Sequence, residues 1–207
     1  MVQGLNHLIP SVEFEVWVGR TPCMGGHICP WWFAYTFDNR LRYLFHQPEK
    51  ILAEYVARGM TVLDVGCGMG FFTIGLARIV GDGGCVIAAD VQAKMLAALQ
   101  KRSKKAGLAS IIRLHKSEPN HLGINTPVDF ILAFWMVHEV PKPDAFFRQM
   151  IECLKPDGKM LIVEPRFHVS SKRFQEIVGI AEASGLTYCD TPKIKFSRSA
   201  VFNHMAS

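Results

Sequence analysis

Four side chains capable of acid–base chemistry stand at the ends of two apolar runs: His138 and Glu139 close DFILAFWMVHEV, and Glu164 and His168 end or follow KMLIVEP. If those runs are adjacent parallel strands, their carboxyl ends bring the four groups, with Trp135, to one pocket. Histidine titrates near neutral pH without costly tuning, so His138 and Glu139 are the expected catalytic residues, His138 as a general base or orienting group. The competing role for His138 is a hydrogen-bonded anchor of the following loop, and for Glu164 a carboxylate bracing a helix end or loop. The four groups together also suit a hard divalent cation. The acid–base reading of these four groups is preferred and no metal is expected there; nor is zinc expected at Cys23, His27 and Cys29, which lack a fourth partner and a standard spacing.

A second constellation is LDVGCGMGFF, with Asp64 inside an apolar run and Gly66, Gly68 and Gly70 in the turn that follows. Glycines at the carboxyl edge of a sheet let backbone approach a ligand closely. A dinucleotide fingerprint needs a further glycine at 71, where Phe71 stands, and no G-K-[ST] is present, so pyrophosphate and P-loop nucleotide sites are excluded. Asp90 ends the next apolar run, and a carboxylate there can accept hydrogen bonds from both hydroxyls of a ribose. The pair points to a nucleoside-containing ligand without phosphates.

These residues need a scaffold, and the chain beyond Met60 supplies its pattern. TVLDVG, CVIAAD, SIIRLH, VDFILAFW and KMLIVEP alternate with helical periodicity near 70–80, 92–106, 143–154 and 170–184. Runs apolar on both faces, separated by helices, predict a doubly wound α/β fold with a mostly parallel sheet. LTYCDTP and KIKFSRSAVF read as a final antiparallel pair. Upstream, 30–57 reads as two cap helices, one capped by Asp38 with Leu41, Leu44 and Phe45 inward, the other opened by Pro48 with Ile51, Leu52, Tyr55 and Val56 inward. The expected division is an N-terminal arm and helical cap at 1–47 and a catalytic domain at 48–207. The aromatics Trp31, Trp32, Phe33, Tyr35 and Phe37 belong to that cap as lid or core.

VLDVGCGMG at 62–70, DVQAKML at 90–96, DFILAFWMVHEV at 129–140 and LKPDGKMLIVEP at 154–165 together resemble the class I S-adenosylmethionine-dependent methyltransferases. The resemblance covers about residues 48–200 and is strongest to the small-molecule group that includes the ubiquinone/menaquinone-biosynthesis and arsenite methyltransferases. It implies seven strands in the order 3-2-1-4-5-7-6 and S-adenosylmethionine as cofactor. It also implies that Asp64, Gly66, Cys67, Gly68 and Gly70 hold the methionine end, that Asp90 holds the ribose, and that Val91 and Met95 flank the adenine, with Phe134 completing the set. Many relatives carry Asp-Ala after the third strand, and this chain has Lys116 and Ser117 there. Ser117, its backbone, or packing alone then holds the adenine.

Composition narrows the function class. The chain has 207 residues, 49% hydrophobic and 20% charged, with 23 basic against 18 acidic side chains. That mild excess, with no marks of target-base chemistry after the fourth strand, argues against a nucleic-acid partner. The basic run Lys101, Arg102, Lys104 and Lys105 reads as a solvated helix end. No apolar run approaches the ~20 residues of a membrane span, and six scattered cysteines suit a reducing cytoplasm. The expected activity is methyl transfer to a small-molecule acceptor. The alternatives are a nucleic-acid or protein methyltransferase and a non-catalytic S-adenosylmethionine-binding protein. The acceptor atom and the oligomeric state stay open.

Overall fold

The computed structural model describes residues 42–204. Seven strands, β1 (Thr61–Val65), β2 (Cys85–Asp90), β3 (Ile112–Lys116), β4 (Val128–Phe134), β5 (Leu154–Pro165), β6 (Thr187–Asp190) and β7 (Ser197–Asn203), form one sheet in the order β3-β2-β1-β4-β5-β7-β6. The first five are parallel, and β7 runs antiparallel between β5 and β6. This is the architecture that the resemblance implied.

Alternation along each strand divides the core between two faces. Val62, Val86, Phe130 and Leu132 pack on one side with α1 (Pro48–Leu52), α2 (Phe71–Val80) and α3 (Ala93–Lys105). Leu63, Ile87, Ile131 and Ala133 pack on the other with α4 (Pro143–Cys153) and α5 (Ser171–Ala183). Because Asp64 follows Leu63 in this alternation, it emerges on the α2 side. Ser170 accepts the Arg173 N–H and caps α5.

Gly70 opens α2 in the left-handed region, at φ 86°. A Cβ placed there lies 2.2 Å from Cδ1 of fully buried Leu99. Gly70→Ala is therefore expected to destabilise the fold by about 1–3 kcal/mol through overpacking and the left-handed backbone together, read as a lower urea midpoint. An unchanged midpoint would show that neither the contact with Leu99 nor the left-handed backbone carries a cost.

The cap differs from expectation. Asp38, Leu41, the aromatics at 31–37 and the Cys23/His27/Cys29 group lie outside the described residues. Within them, Arg42–Leu44 form a single 3-10 turn. Leu44 and Phe45 are 64% and 44% exposed, because a three-residue turn has no repeating inward face. His46 takes the inward place, donating through Nε2 to the Lys195 carbonyl at 2.8 Å, with its ring edge against Phe134 and Trp135. The second cap helix is α1, with Leu52 and Val56 buried.

Candidate active site

A cleft of about 540 Å³ lies across the carboxyl ends of β1, β2, β4 and β5, within the range of small-ligand sites. Asp64, Gly66, Cys67, Gly68, Asp90, Val91, Met95, Ser117 and Phe134 line it, and so do His138, Glu139 and His168. Of the residues expected at the cofactor, Gly70 alone is absent from this lining; it faces Leu99, and its role is to let α2 approach α3.

Each acidic group is held by local backbone or side-chain donors. Thr73 Oγ1 donates to Asp64 Oδ2 at 2.6 Å. Burial raises the Asp64 pKa to about 7, with nearby Asp90 adding to the rise and the Thr73 bond and Arg42 charge opposing it. Asp90 accepts the Gly68 N–H on Oδ2 at 3.0 Å and the Gln92 N–H on Oδ1 at 2.8 Å. Each of its oxygens keeps a further lone pair for a ligand hydroxyl. Burial, with the charges of Asp64 and Asp90, pushes the Cys67 thiol well above its ordinary value, so Cys67 stands as a neutral thiol.

The opposite half of the cleft is built from β4, β5 and the turns beyond them. β4 pairs Phe134 with Val163 of β5, and Trp135 then adopts φ 60°. This left-handed residue turns the chain into the 3-10 segment Val137–Glu139 over the tip of β5. Glu164, fully buried, accepts the Val137 N–H on Oε1 at 2.8 Å and bonds His138 Nδ1 through Oε2. His138 Nε2 lies 4.0 Å from Glu139 Oε1, and the His168 ring stands 6.1 Å from the His138 ring. Burial pulls the His138 pKa down, but the bond to Glu164 and the charges of Glu164 and Glu139 outweigh it, and the net shift is upward. Among the described residues no cluster of three or more ligating side chains suits a metal ion.

Two contributors carry no signal in the sequence. Thr73 is a lone hydroxyl in an apolar helix, and nothing local marks it as the partner of Asp64. Arg42 places its guanidinium 4.7 and 4.8 Å from the Phe71 and Trp135 rings and 5.3 Å from Phe134.

The arrangement fits S-adenosylmethionine on three grounds. The buried Ser117 Oγ has no hydrogen-bond partner, as a side chain waiting for a ligand would be. The Phe71, Phe134 and Trp135 rings that line the cleft present π faces of the kind that attract a cation. The Asp90 carboxylate retains acceptor capacity at the end of β2.

Comparison with known proteins agrees. A family model described as a methyltransferase domain matches residues 57–192. The chain belongs to the class I S-adenosylmethionine-dependent methyltransferases. A solved structure of an S-adenosylmethionine-dependent methyltransferase from Aquifex aeolicus is 29% identical, with a TM-score of 0.77 over 86% of this chain and 100% of that one. The demethylmenaquinone methyltransferase of Lactobacillus johnsonii is 34% identical over 110 residues, which are 53% of this chain and 45% of that protein. The ubiquinone/menaquinone biosynthesis C-methyltransferase UbiE of Azotobacter vinelandii is 31% identical over 53% of this chain and 44% of its own. This methyltransferase thus spans less than half the length of the curated relatives it matches. No helix among its described residues is long and apolar enough to cross a membrane.

Proposed function

We propose that this chain transfers the methyl group of S-adenosylmethionine to a small, partly apolar acceptor, as the UbiE-like relatives' names suggest for a quinone-type compound. The observation that carries the reading is a single cleft running from Asp64, Asp90 and Ser117 to His138 and Glu139. We further propose that 48–207 is the catalytic domain and 1–47 an arm and cap. Its place of work is the reducing cytoplasm, which suits the unbridged Cys67, Cys85, Cys153 and Cys189 of the described residues.

When bound, S-adenosylmethionine supplies a methyl group activated by a sulfonium. The chain's own part is alignment and proton removal. Asp64 faces the ammonium of the methionine end, and the backbone of Gly66 to Gly68 allows close approach. Asp90 takes the ribose hydroxyls, Val91 and Met95 flank the adenine, and Ser117 Oγ meets its polar edge. Phe134 walls the space between donor and acceptor. His138 holds or removes the acceptor's proton, with Glu139 beside its Nε2.

The test is acceptor-dependent formation of S-adenosylhomocysteine across a panel of small phenols, quinols, amines and thiols, with tRNA and peptide arms for the macromolecular alternatives. Turnover confined to a macromolecule would overturn the small-acceptor reading. Cofactor binding without turnover on any arm would support a non-catalytic binding protein. In calorimetry, Asp90→Ala is expected to weaken S-adenosylhomocysteine by about 1.5–3 kcal/mol, the value of hydrogen bonds to a charged group. NAD is expected not to bind. Full affinity in the variant would remove Asp90 from the ribose site.

A further inference from the structure

We propose that Glu164 is the positioning residue of the acceptor half of the cleft, fixing His138 so that its Nε2 receives a proton from a neutral hydroxyl of the acceptor. This rests on the methyl-transfer reading above. The observation behind it is the two-point hold on His138 and the turn that carries it. Glu164 is fully buried, with one oxygen on the Val137 N–H and the other on His138 Nδ1. An ionised carboxylate only accepts hydrogen bonds, so Nδ1 carries the hydrogen and Nε2 keeps the free lone pair.

Burying a carboxylate is costly unless it is paired. The Val137 N–H satisfies one oxygen, and His138 is the partner that can also become a cation beside the other. An anchor for the loop needs only the first of these bonds. The second fixes the tautomer and the ring direction and stabilises the imidazolium once a proton arrives. Other titratable groups near His138 are Glu139 on its own turn and His168 beyond β5. Glu139 adds to the upward pull of Glu164, and His168 is itself held below its ordinary value, by burial and then by the His138 charge. At neutral pH His168 therefore opposes the imidazolium little.

A base held this firmly is required during attack only by some nucleophiles. A ring carbon, as in the C-methyltransferase relatives, loses its C–H proton only after the methyl is bound. A neutral amine attacks before it loses a proton, and a thiol, with an unperturbed pKa near 8.5, is already partly ionised. A phenol-like hydroxyl, near 10, must give up its proton as it attacks. The walls around His138 suit an apolar body for that hydroxyl: Trp135, Val140, Pro141, Phe146 and Phe167. The step balances. An oxygen lone pair forms the new C–O bond while the methyl–sulfur pair returns to sulfur and cancels its positive charge. The hydroxyl proton moves to Nε2 and then to water.

The test is 15N NMR of the His138 ring in the whole protein, followed against pH. The wild type is expected to show the Nδ1–H tautomer when neutral and a titration midpoint above 6.5. Glu164→Gln keeps the volume and the acceptor for the Val137 N–H but turns an amide NH2 toward Nδ1. It is expected to reverse the tautomer to Nε2–H and lower the midpoint by about 1–3 units, with S-adenosylhomocysteine affinity and the urea midpoint retained.

A wild-type Nε2–H tautomer, or a midpoint at or below 6.5, overturns the proposal even if the variant does not fold. So does a variant with the wild-type tautomer and midpoint. The hydroxyl is tested with para-nitrophenol and S-adenosylhomocysteine, held below the phenol's own pKa. The phenolate band is expected with the wild type and should be lost in Glu164→Gln; its absence from the wild type, or its persistence in the variant, overturns the hydroxyl assignment. Failure of both proteins to bind S-adenosylhomocysteine would instead overturn the methyl-transfer reading, which the NMR result does not depend on.

Discussion

Replacing His138 with alanine is expected to lower kcat by roughly 10²–10⁴-fold, the usual contribution of a positioned general base. S-adenosylhomocysteine affinity should stay within about 0.5 kcal/mol, since no cofactor contact is assigned to the ring. The wild-type rate carries the same signature in its pH dependence. A base must be neutral to act, and the bond to Glu164 with the Glu164 and Glu139 charges holds His138 above its ordinary value despite burial. The acidic limb of kcat/KM should therefore lie above pH 6.5 and disappear in the variant. Stability moves in the opposite sense: a raised histidine pKa stabilises the fold below the unfolded value, and that contribution is lost as pH rises through the folded one. Alanine also leaves Glu164 buried with only the Val137 N–H, so His138→Gln, which can still donate to that carboxylate, is the control for folding. A rate loss under tenfold with a large fall in the urea midpoint would make His138 a loop anchor instead of a base.

How much of this site was legible follows from which residues act through local backbone and which through tertiary register. Gly66, Gly68 and Asp90 are legible because close backbone approach and a strand-end carboxylate are local requirements, and the structure seats them in one cleft. The sheet order came with the family resemblance, and the alternating runs alone reached only a parallel sheet with an antiparallel close. The strand ends bring Glu164 near His138, and its residue type fits equally a carboxylate that only braces a loop. Its partnership spans 26 positions and depends on the β4–β5 register and on a left-handed Trp135 that no propensity predicts. The bracing role is also real, since the same carboxylate accepts the Val137 N–H. Helical spacing turns Leu44 and Phe45 inward, whereas the chain makes a single 3-10 turn there and leaves both exposed.

Asp64→Asn is expected to weaken S-adenosylhomocysteine by about 2–5 kcal/mol, the cost of truncating one partner of a buried charge pair, and to remove the pH dependence of binding. In the free protein burial holds Asp64 at a pKa of about 7, while Thr73 occupies one of its oxygens at 2.6 Å. An arriving α-ammonium favours the ionised form and lowers that pKa, so binding below pH 7 must expel the Asp64 proton. Affinity should then improve by up to about tenfold per pH unit as pH rises toward 7 and level off beyond it. Calorimetry in buffers of different ionisation enthalpy reads the released proton directly. The fold itself has the reverse dependence: a carboxyl raised above its unfolded value favours the native state at low pH, and this contribution is lost as pH climbs from about 4 toward 7. Above pH 7 the buried charge is thus a burden that the ligand's cation relieves, and Asp64→Asn should raise the urea midpoint of the ligand-free protein there. Wild-type affinity that is flat between about pH 5.5 and 7 would show that Asp64 is already ionised without ligand, and that the pairing costs no proton.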